Sequence, residues 1–428
     1  MEKLLDLFYT STGVCTDSRN IVKDCLFIAL SGLNFNGNEF AKDALDKGAK
    51  YCIVDDARFA NNPNCFLVEN CLQFLQYLAQ QHRMKFSIPV IGITGSNGKT
   101  STKELVHAVL AEKYKVLSTI GNLNNHIGVP LTLLRLTAKH DIAIIEMGAN
   151  KHKDIEELSA IARPTHGIIT NIGKAHLEGF GDFNGVLKTK KELYDTIESA
   201  KGLVVYNADD VTLQSNLPNQ TNVFSYGTDN SCNIAGELVA LTPFIQFRWS
   251  KSGYHSPVLT GNMVGKYNFY NYLAAIAFGD IFHVSEEAIN RGIASYMPEN
   301  NRSQVKKTER NTLILDCYNA NPTSMLSALE SFHLLESNQK LVILGDMLEL
   351  GKETAREHAN IAEKIKELNV RCITIGQHFF KLDTTAIEQK FLTKEDAIIY
   401  LKQTKISDQY VLLKGSRGIG LEELETYL

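Results

Sequence analysis

The chain has 428 residues, 44% hydrophobic and 21% charged, which excludes a disordered chain and suggests about three domains at roughly 150 residues each. Its 44 basic and 48 acidic residues give a formal charge of −4, so there is no electrostatic case for general nucleic-acid binding. No apolar run approaches the ~18 residues of a membrane span, and the eight cysteines form no C-x-x-C pair, which argues against a zinc ribbon or a dithiol site. The start, Met1-Glu2-Lys3-Leu4-Leu5-Asp6, carries acids where a signal peptide carries only bases. A cytoplasmic setting with free thiols is therefore expected.

In chain order, short apolar runs at 25–30, 51–54 and 65–68 predict strands. Helical patterns lie among them near 40–45 and 72–80. Residues 1–86 thus read as a small α/β domain, ended by Ser87-Ile88-Pro89. From Val90 the alternation becomes regular. Residues 90–93, 141–146 and 167–170 read as buried strands, and 103–112 as a helix with Leu105, Val106, Val109 and Leu110 on one face. Such alternation predicts a parallel sheet covered on both faces. Residues 222–249 look β-rich, and 268–278 return to helix. From 301 a second alternating set begins, with strands at 313–315, 341–344, 372–375 and 410–413. Helices near 325–335, 357–368 and 394–402 separate them. This predicts a doubly wound, Rossmann-like C-terminal domain without the G-x-G-x-x-G of a nicotinamide site. The expected class is α/β with three domains: 1–86, 87–300 and 301–428.

The sharpest motif is Gly92-Ile93-Thr94-Gly95-Ser96-Asn97-Gly98-Lys99-Thr100. It follows a buried strand and opens a helix, the context a phosphate-binding loop requires. Glycines let backbone N–H groups approach a phosphate, Lys99 can meet its outer oxygens, and the Thr100 hydroxyl can ligate Mg²⁺. The spacing is G-x-x-G-x-x-G-K-T, since Ile93 stands where the stricter motif has its first glycine. Glu146 ends an apolar strand at the same sheet edge, where a carboxylate can hold Mg²⁺ or form a structural ion pair. His176 lies in a loop just past another strand. Lys188, Lys190 and Lys191 share a helix whose ordinary reading is a solvated face. The amides of Asn122-Leu123-Asn124-Asn125 can hold a substrate or cap a helix.

These segments resemble the Mur ligase family, the ATP-dependent amide-forming enzymes of peptidoglycan synthesis. The resemblance spans T-G-S-N-G-K-T, G-N-L-N-N-H-I-G, I-I-E-M-G-A, A-H-L-E-G-F-G and Y-N-F-Y-N-Y-L. D-C-Y-N-A-N-P, L-G-D-M-L-E-L-G and L-L-K-G-S-R-G look specifically like the member that adds D-alanyl-D-alanine to UDP-N-acetylmuramoyl-tripeptide. The resemblance implies a first domain for the UDP end, a central domain for ATP and a last domain for the amine. It implies two steps: the acceptor carboxylate takes the ATP γ-phosphoryl group, then the amine displaces phosphate from the acyl phosphate. Thr94, Gly95, Ser96, Asn97, Gly98, Lys99 and Thr100 match the phosphate cradle. Asn268 and Asn271 match the adenine-site asparagines, Arg302 an arginine reaching the terminal phosphate, and Asp316 an acid near the ribose. Thr100 and Glu146 match magnesium positions. His176 matches a histidine beside a second magnesium ion, and Lys190 a lysine that is carbamylated four residues before an aromatic. Tyr267 stands where the family usually has histidine. Cys15-Thr16-Asp17-Ser18-Arg19 and Leu30-Ser31-Gly32 resemble the UDP-binding stretch, with Asp17, Ser18, Arg19 and Ser31 as candidate contacts. The candidate catalytic set is Lys99, Asn124, His176 and Lys190. Asn319 and Asn321, in a strand-to-helix turn before Pro322, have donors and acceptors suited to a dipeptide. A monomer acting on small molecules is expected. The rivals are a sister ligase adding one amino acid, whose D-N-P-R sequence is not found here, and a non-catalytic nucleotide-binding protein.

Overall fold

A computed structural model describes residues 2–220, 222–241, 244–337 and 339–428, and in it the chain builds three successive sheets. The first is parallel, in the order β1 (Val14–Cys15), β2 (Leu26–Ile28), β3 (Tyr51–Val54) and β4 (Cys65–Leu67). Beside it runs the helix Cys71–Met84. Asn70 caps it by accepting from the Gln73 N–H, and its apolar face buries Phe74, Leu75 and Leu78. This i, i+1, i+4 stripe is the expected amphipathic pattern.

The central sheet comprises β5 (Val90–Thr94), β6 (Val116–Ser118), β7 (Ile142–Glu146), β8 (His166–Ile169), β9 (Leu203–Asn207), β10 (Asn222–Gly227), β11 (Ile234–Ala240), β12 (Gln246–Lys251), β13 (Tyr254–His255) and β14 (Leu259–Thr260). The order is β6-β7-β5-β8-β9-β10-β11-β12-β13, with β14 also on β12. Strands from β6 to β11 are parallel, and β12 turns antiparallel on β11. Successive strand residues serve opposite faces. Ile91, Ile93 and Ile144 pack in one core with Leu105 and Val106 of the helix Lys99–Ala111 and with Phe269. Val90, Ala143 and Ile145 join the other core with Ile155, Leu193 and residues of the first sheet such as Phe27 and Ile53. The strand runs are therefore continuously apolar because both faces are covered.

The last sheet has β15 (Gln304–Lys307), β16 (Thr312–Leu315), β17 (Lys340–Gly345), β18 (Arg371–Ile375), β19 (Gln389–Phe391) and β20 (Tyr410–Lys414). Its order is β15-β16-β20-β17-β18-β19, parallel except for β15 on β16. Val342 and Leu344 face the helices Pro322–His333 and Thr354–Leu368, while Leu341 and Ile343 face Lys394–Gln403. All eight cysteines are free. Among the described residues no helix is long and apolar enough to cross a membrane.

Candidate active site

Strand β5 lies between β7 and β8, where the order of the central sheet reverses. Its carboxyl end is the crevice in which open α/β sheets hold ligands. The loop leaving β5 needs glycine twice. Gly95 has φ +145°, and a Cβ there would lie 2.0 Å from Thr170 Oγ1; Gly98 has φ +79° and precedes the helix Lys99–Ala111. The loop is tied to the chain leaving β8. The Asn97 N–H donates to Asn171 Oδ1, Thr170 Oγ1 donates to Asn97 O, and Ser96 Oγ both donates to Gly173 O and accepts from its N–H. Lys99 bends back so that Nζ donates to Gly95 O (2.7 Å) and Ser96 O (3.4 Å). Enclosure by protein lowers its ammonium to about 8; Glu146 opposes that fall and Arg302 adds to it.

Glu146, at the end of β7, is 1% exposed. Oε1 accepts from Asn124 Nδ2 (2.8 Å) and Thr100 Oγ1 (3.2 Å), while Oε2 is buried without a hydrogen-bond partner. Lys103 Nζ stands 3.9 Å from that oxygen. A buried carboxylate oxygen left open beside a hydroxyl is a donor set that fits a hard cation such as Mg²⁺.

A cleft of about 960 Å³ opens above these groups. It is lined by Ser96, Asn97, Gly98, Lys99, Thr100, Asn124, Glu146, His176, Asn268, Asn271, Arg302, Asp316, Asn319 and Asn321. Most of the residues expected from sequence are thus brought together. Asn268 is buried, donating to Val264 O and Ser303 Oγ and accepting from Asn271 Nδ2; Asn271 in turn accepts from Thr102 Oγ1. Arg302 sits between two residues with positive φ, Asn301 and Ser303. Its guanidinium lies 3.8 Å from the Tyr318 ring centre and its Nε is buried without a partner. Asp316 Oδ2 accepts from the buried Lys414 Nζ at 2.6 Å. Tyr267 hydrogen-bonds Ser303 Oγ (2.7 Å), and burial holds its phenol well above the ordinary pKa.

Several of the expected residues are committed elsewhere or sit apart from the cleft lining. Thr94 Oγ1 donates to Met147 O, and Gly95 lies behind the loop against Thr170. Lys190 is 2% exposed in the helix Phe183–Ser199, 5.7 Å from the Phe180 ring centre. Burial first, then Lys99, lowers its pKa well below the ordinary lysine value. Its neighbours differ: Lys188 is exposed, and Lys191 pairs with Asp195 at 2.5 Å. Asn321 lines the cleft, but its amide is in use. Oδ1 caps the helix Pro322–His333 by accepting from the Ser324 N–H, and Nδ2 donates to Asn97 Oδ1 at 2.7 Å. Asn319 Oδ1 accepts from the Ala320 N–H.

Asp17, Ser18, Arg19 and Ser31 lie away from this cleft, just past the carboxyl ends of the adjacent parallel strands β1 and β2. Asp17 caps the turn Ser18–Asn20 and pairs with Arg19 at 2.7 Å, which holds its carboxyl near 2. Ser31 Oγ donates to Asn36 Oδ1 and accepts from the Gly37 N–H.

Sequence reasoning missed several lining groups. Asp209 and Asp210 lie just past the carboxyl end of β9, and Glu146 closes β7 at the same sheet edge, so the reasoning that reaches Glu146 also reaches them. Tyr318 and Lys414 fall in the family-like segments D-C-Y-N-A-N-P and L-L-K-G-S-R-G but carry no assigned role there; they reach the cleft because β16 and β20 are neighbours. Glu349, which touches the lining residue His176 without lining the cleft itself, is the other omission. Its Oε2 lies 2.5 Å from His176 Nδ1, and that contact lowers the carboxyl's pKa.

Three family profiles match the chain: "Mur ligase family, catalytic domain" at residues 10–83, "Mur ligase middle domain" at 93–279 and "Mur ligase, glutamate ligase domain" at 301–417. The UDP-N-acetylmuramoyl-tripeptide–D-alanyl-D-alanine ligase of Bacillus subtilis is 33% identical over 427 residues, covering 96% of this chain and 92% of that protein. The crystal structure of MurF from Acinetobacter baumannii superposes with a TM-score of 0.87 at 28% identity, over 99% of this chain and 97% of that one. MurF from Thermotoga maritima in complex with ADP gives 0.88 at 25% identity, over 100% and 98%.

Proposed function

The chain belongs to the Mur ligase family, and from that premise we propose that it joins D-alanyl-D-alanine to UDP-N-acetylmuramoyl-tripeptide at the expense of ATP. The products are the UDP-linked pentapeptide, ADP and phosphate. The observation that carries this reading is one cleft that seats the phosphate loop of the central sheet against the β16 turn of the last sheet, joined by Asn97 and Asn321. A nucleotide and an amine brought in by different sheets would meet there.

A carboxylate is a poor acyl donor near neutral pH, and phosphorylation gives it a leaving group. The chain's task is to position and to neutralise charge. The amides of Ser96 to Thr100 would surround the ATP phosphates, and Lys99 would exchange its two carbonyl partners for phosphoryl oxygens. Arg302 would meet the terminal phosphate through the guanidinium whose Nε has no partner. Asn268 and Asn271 would face the adenine and Asp316 the ribose. Thr100 and Glu146 would hold Mg²⁺, which when bound neutralises charge on the phosphate oxygens. Asn124 would keep the Glu146 carboxylate turned toward that position. His176 and Lys190 are assigned to a second Mg²⁺, Lys190 as its carbamate. Its depressed pKa supplies the neutral amine that CO₂ needs: an N–C bond forms and a proton is released. The ends of β1 and β2, with Asp17, Ser18, Arg19 and Ser31, would take the UDP end, and Asn319 and Asn321 would frame the dipeptide. In domain terms, 1–86 serves the UDP end, 87–300 ATP and 301–428 the amine. The working form is assigned as a cytoplasmic monomer, in keeping with the free thiols.

The test is ADP release with UDP-N-acetylmuramoyl-tripeptide, offering one amine at a time. Release that depends on D-alanyl-D-alanine supports the reading. Faster consumption of a free amino acid at equal concentration overturns the dipeptide assignment.

A further inference from the structure

His176 belongs to the central unit, and the groups that hold it come from the C-terminal sheet. Its Nδ1 faces Glu349 Oε2 at 2.5 Å, and the Glu178 N–H donates to Glu349 O at 3.3 Å. Both contact residues have left-handed backbones, φ +52° at His176 and +63° at Glu349. Non-glycine residues adopt that region at a cost, and it persists where surroundings impose it. Here they do. Asp346, 1% exposed, accepts from the His378 and Phe379 N–H groups, and His358 Nε2 accepts from the Met347 N–H. Ser416 Oγ accepts from the Leu348 N–H, and Met347 and Leu350 are buried on either side. The segment 346–350 is therefore built rigidly so as to present one carboxylate.

Stability does not explain that carboxylate. The Glu349 side chain is 56% exposed, and ion pairs so exposed contribute little to stability. Orientation does explain it. A carboxylate 2.5 Å from Nδ1 requires a proton on that nitrogen, because two lone pairs would otherwise oppose each other. In the neutral ring Nε2 is then the acceptor, on a residue that lines the cleft. We infer that Glu349 is the positioning residue for His176: delivered by the last sheet, it fixes the ring's tautomer and pose, so the central site is completed only when that sheet is docked. The inference rests on the role proposed above for His176.

The experiment uses the full chain. Histidine side-chain ¹⁵N spectra, with His176 assigned by its loss in His176→Gln, report the tautomer, and steady-state ADP release reports kcat and each KM. Glu349→Ala should move the His176 signals away from the Nδ1–H form and lower kcat about 10–100-fold, with the ATP KM little changed. Glu349→Gln, which can still accept from Nδ1–H, should recover part of both. Lys174→Ala removes a different contact across the same interface, its 2.7 Å pair with Glu357, and should raise the dipeptide KM while kcat and the tautomer stay. If Glu349→Ala behaves like Lys174→Ala, the carboxylate serves docking alone and the inference is overturned. An unchanged His176 tautomer in Glu349→Ala overturns it as well. His176→Ala separates the two levels. If it is inactive while Glu349→Ala keeps its kcat, the inference alone falls; if it is fully active, the proposed role of His176 falls and takes the inference with it.

Discussion

Lys99 and Lys190 are both enclosed lysines with lowered pKa values, and their surroundings assign them different work. Lys99 already donates to two carbonyl oxygens at the place where a phosphate would sit. Removing it leaves the loop's own ties to Thr170, Asn171 and Gly173 intact. Lys99→Ala should therefore melt near the wild-type temperature and lose about 10²–10³-fold in kcat, the scale of one preorganised donor at a developing charge. Near wild-type ADP release from the folded variant would sink the phosphate-loop assignment. No ion pair reaches Lys190 among the described residues, and its ammonium lies 5.7 Å from the Phe180 ring centre. Lys190→Ala should be inactive and regain turnover with added formate or acetate, which replace the missing anion. Full activity without a small acid would remove the carbamate. Lys99, Thr100 and Glu146 are legible in sequence because strand ends and glycines mark them. Glu349 falls in the family-like segment L-G-D-M-L-E-L-G, but its pairing is not legible there, because its partner His176 belongs to the central unit.

The elements were legible where they were apolar on both faces. Tyr51–Val54, Val90–Thr94 and Thr312–Leu315 match their runs, because parallel strands covered on both sides need continuous hydrophobicity, whereas Leu203–Asn207, inside the central sheet, is not among the expected strands. Val14–Cys15, Val116–Ser118 and Gln304–Lys307 escaped, being two to four residues long and at or near sheet edges. The helix Lys99–Ala111 begins four residues before the start expected at 103 and six before Leu105, the first residue of its apolar stripe. Its first turn buries Thr100, Ser101, Thr102 and Lys103 against polar groups of the cleft, and hydrophobic periodicity is blind to that. At the start of β8, His166 packs on the Phe282 ring, and burial lowers its pKa from 6.5 to about 4. The folded chain then binds fewer protons than the unfolded one between those values, so acid favours unfolding. The contribution is intact above pH 6.5 and is lost as pH falls through about 4. Its ceiling is about 3 kcal/mol, and partial solvent access reduces it to about 1–3 kcal/mol. His166→Gln should flatten that part of the stability profile in urea titrations at pH 4 to 7. An unchanged acid slope would show that His166 is solvated.

Three successive α/β units could be read from the chain, but not how the last one meets the second. Among the contacts that join them are single polar pairs between distant residues: Asn97 with Asn321 is separated by 224 positions, and Lys174 with Glu357 by 183. No local pattern encodes such pairs. Asn321 holds two jobs at once, and substitution can separate them. Its Oδ1 caps the helix Pro322–His333, typically worth about 1 kcal/mol, and its Nδ2 reaches the phosphate loop, a hydrogen bond worth about 0.5–1.5 kcal/mol. Asn321→Ala removes both, so the last sheet should unfold more easily and dock less tightly. Asn321→Asp keeps an oxygen for the cap but has no donor for Asn97, and it adds a negative charge beside the loop expected to hold phosphates. It should therefore melt like wild type yet show a raised dipeptide KM, with the ATP KM raised as well by repulsion. In Asn321→Ala the dipeptide KM should rise with the ATP KM much less affected. If Asn321→Asp keeps both KM values, the contact across the cleft is idle and the capping role is all that Asn321 has.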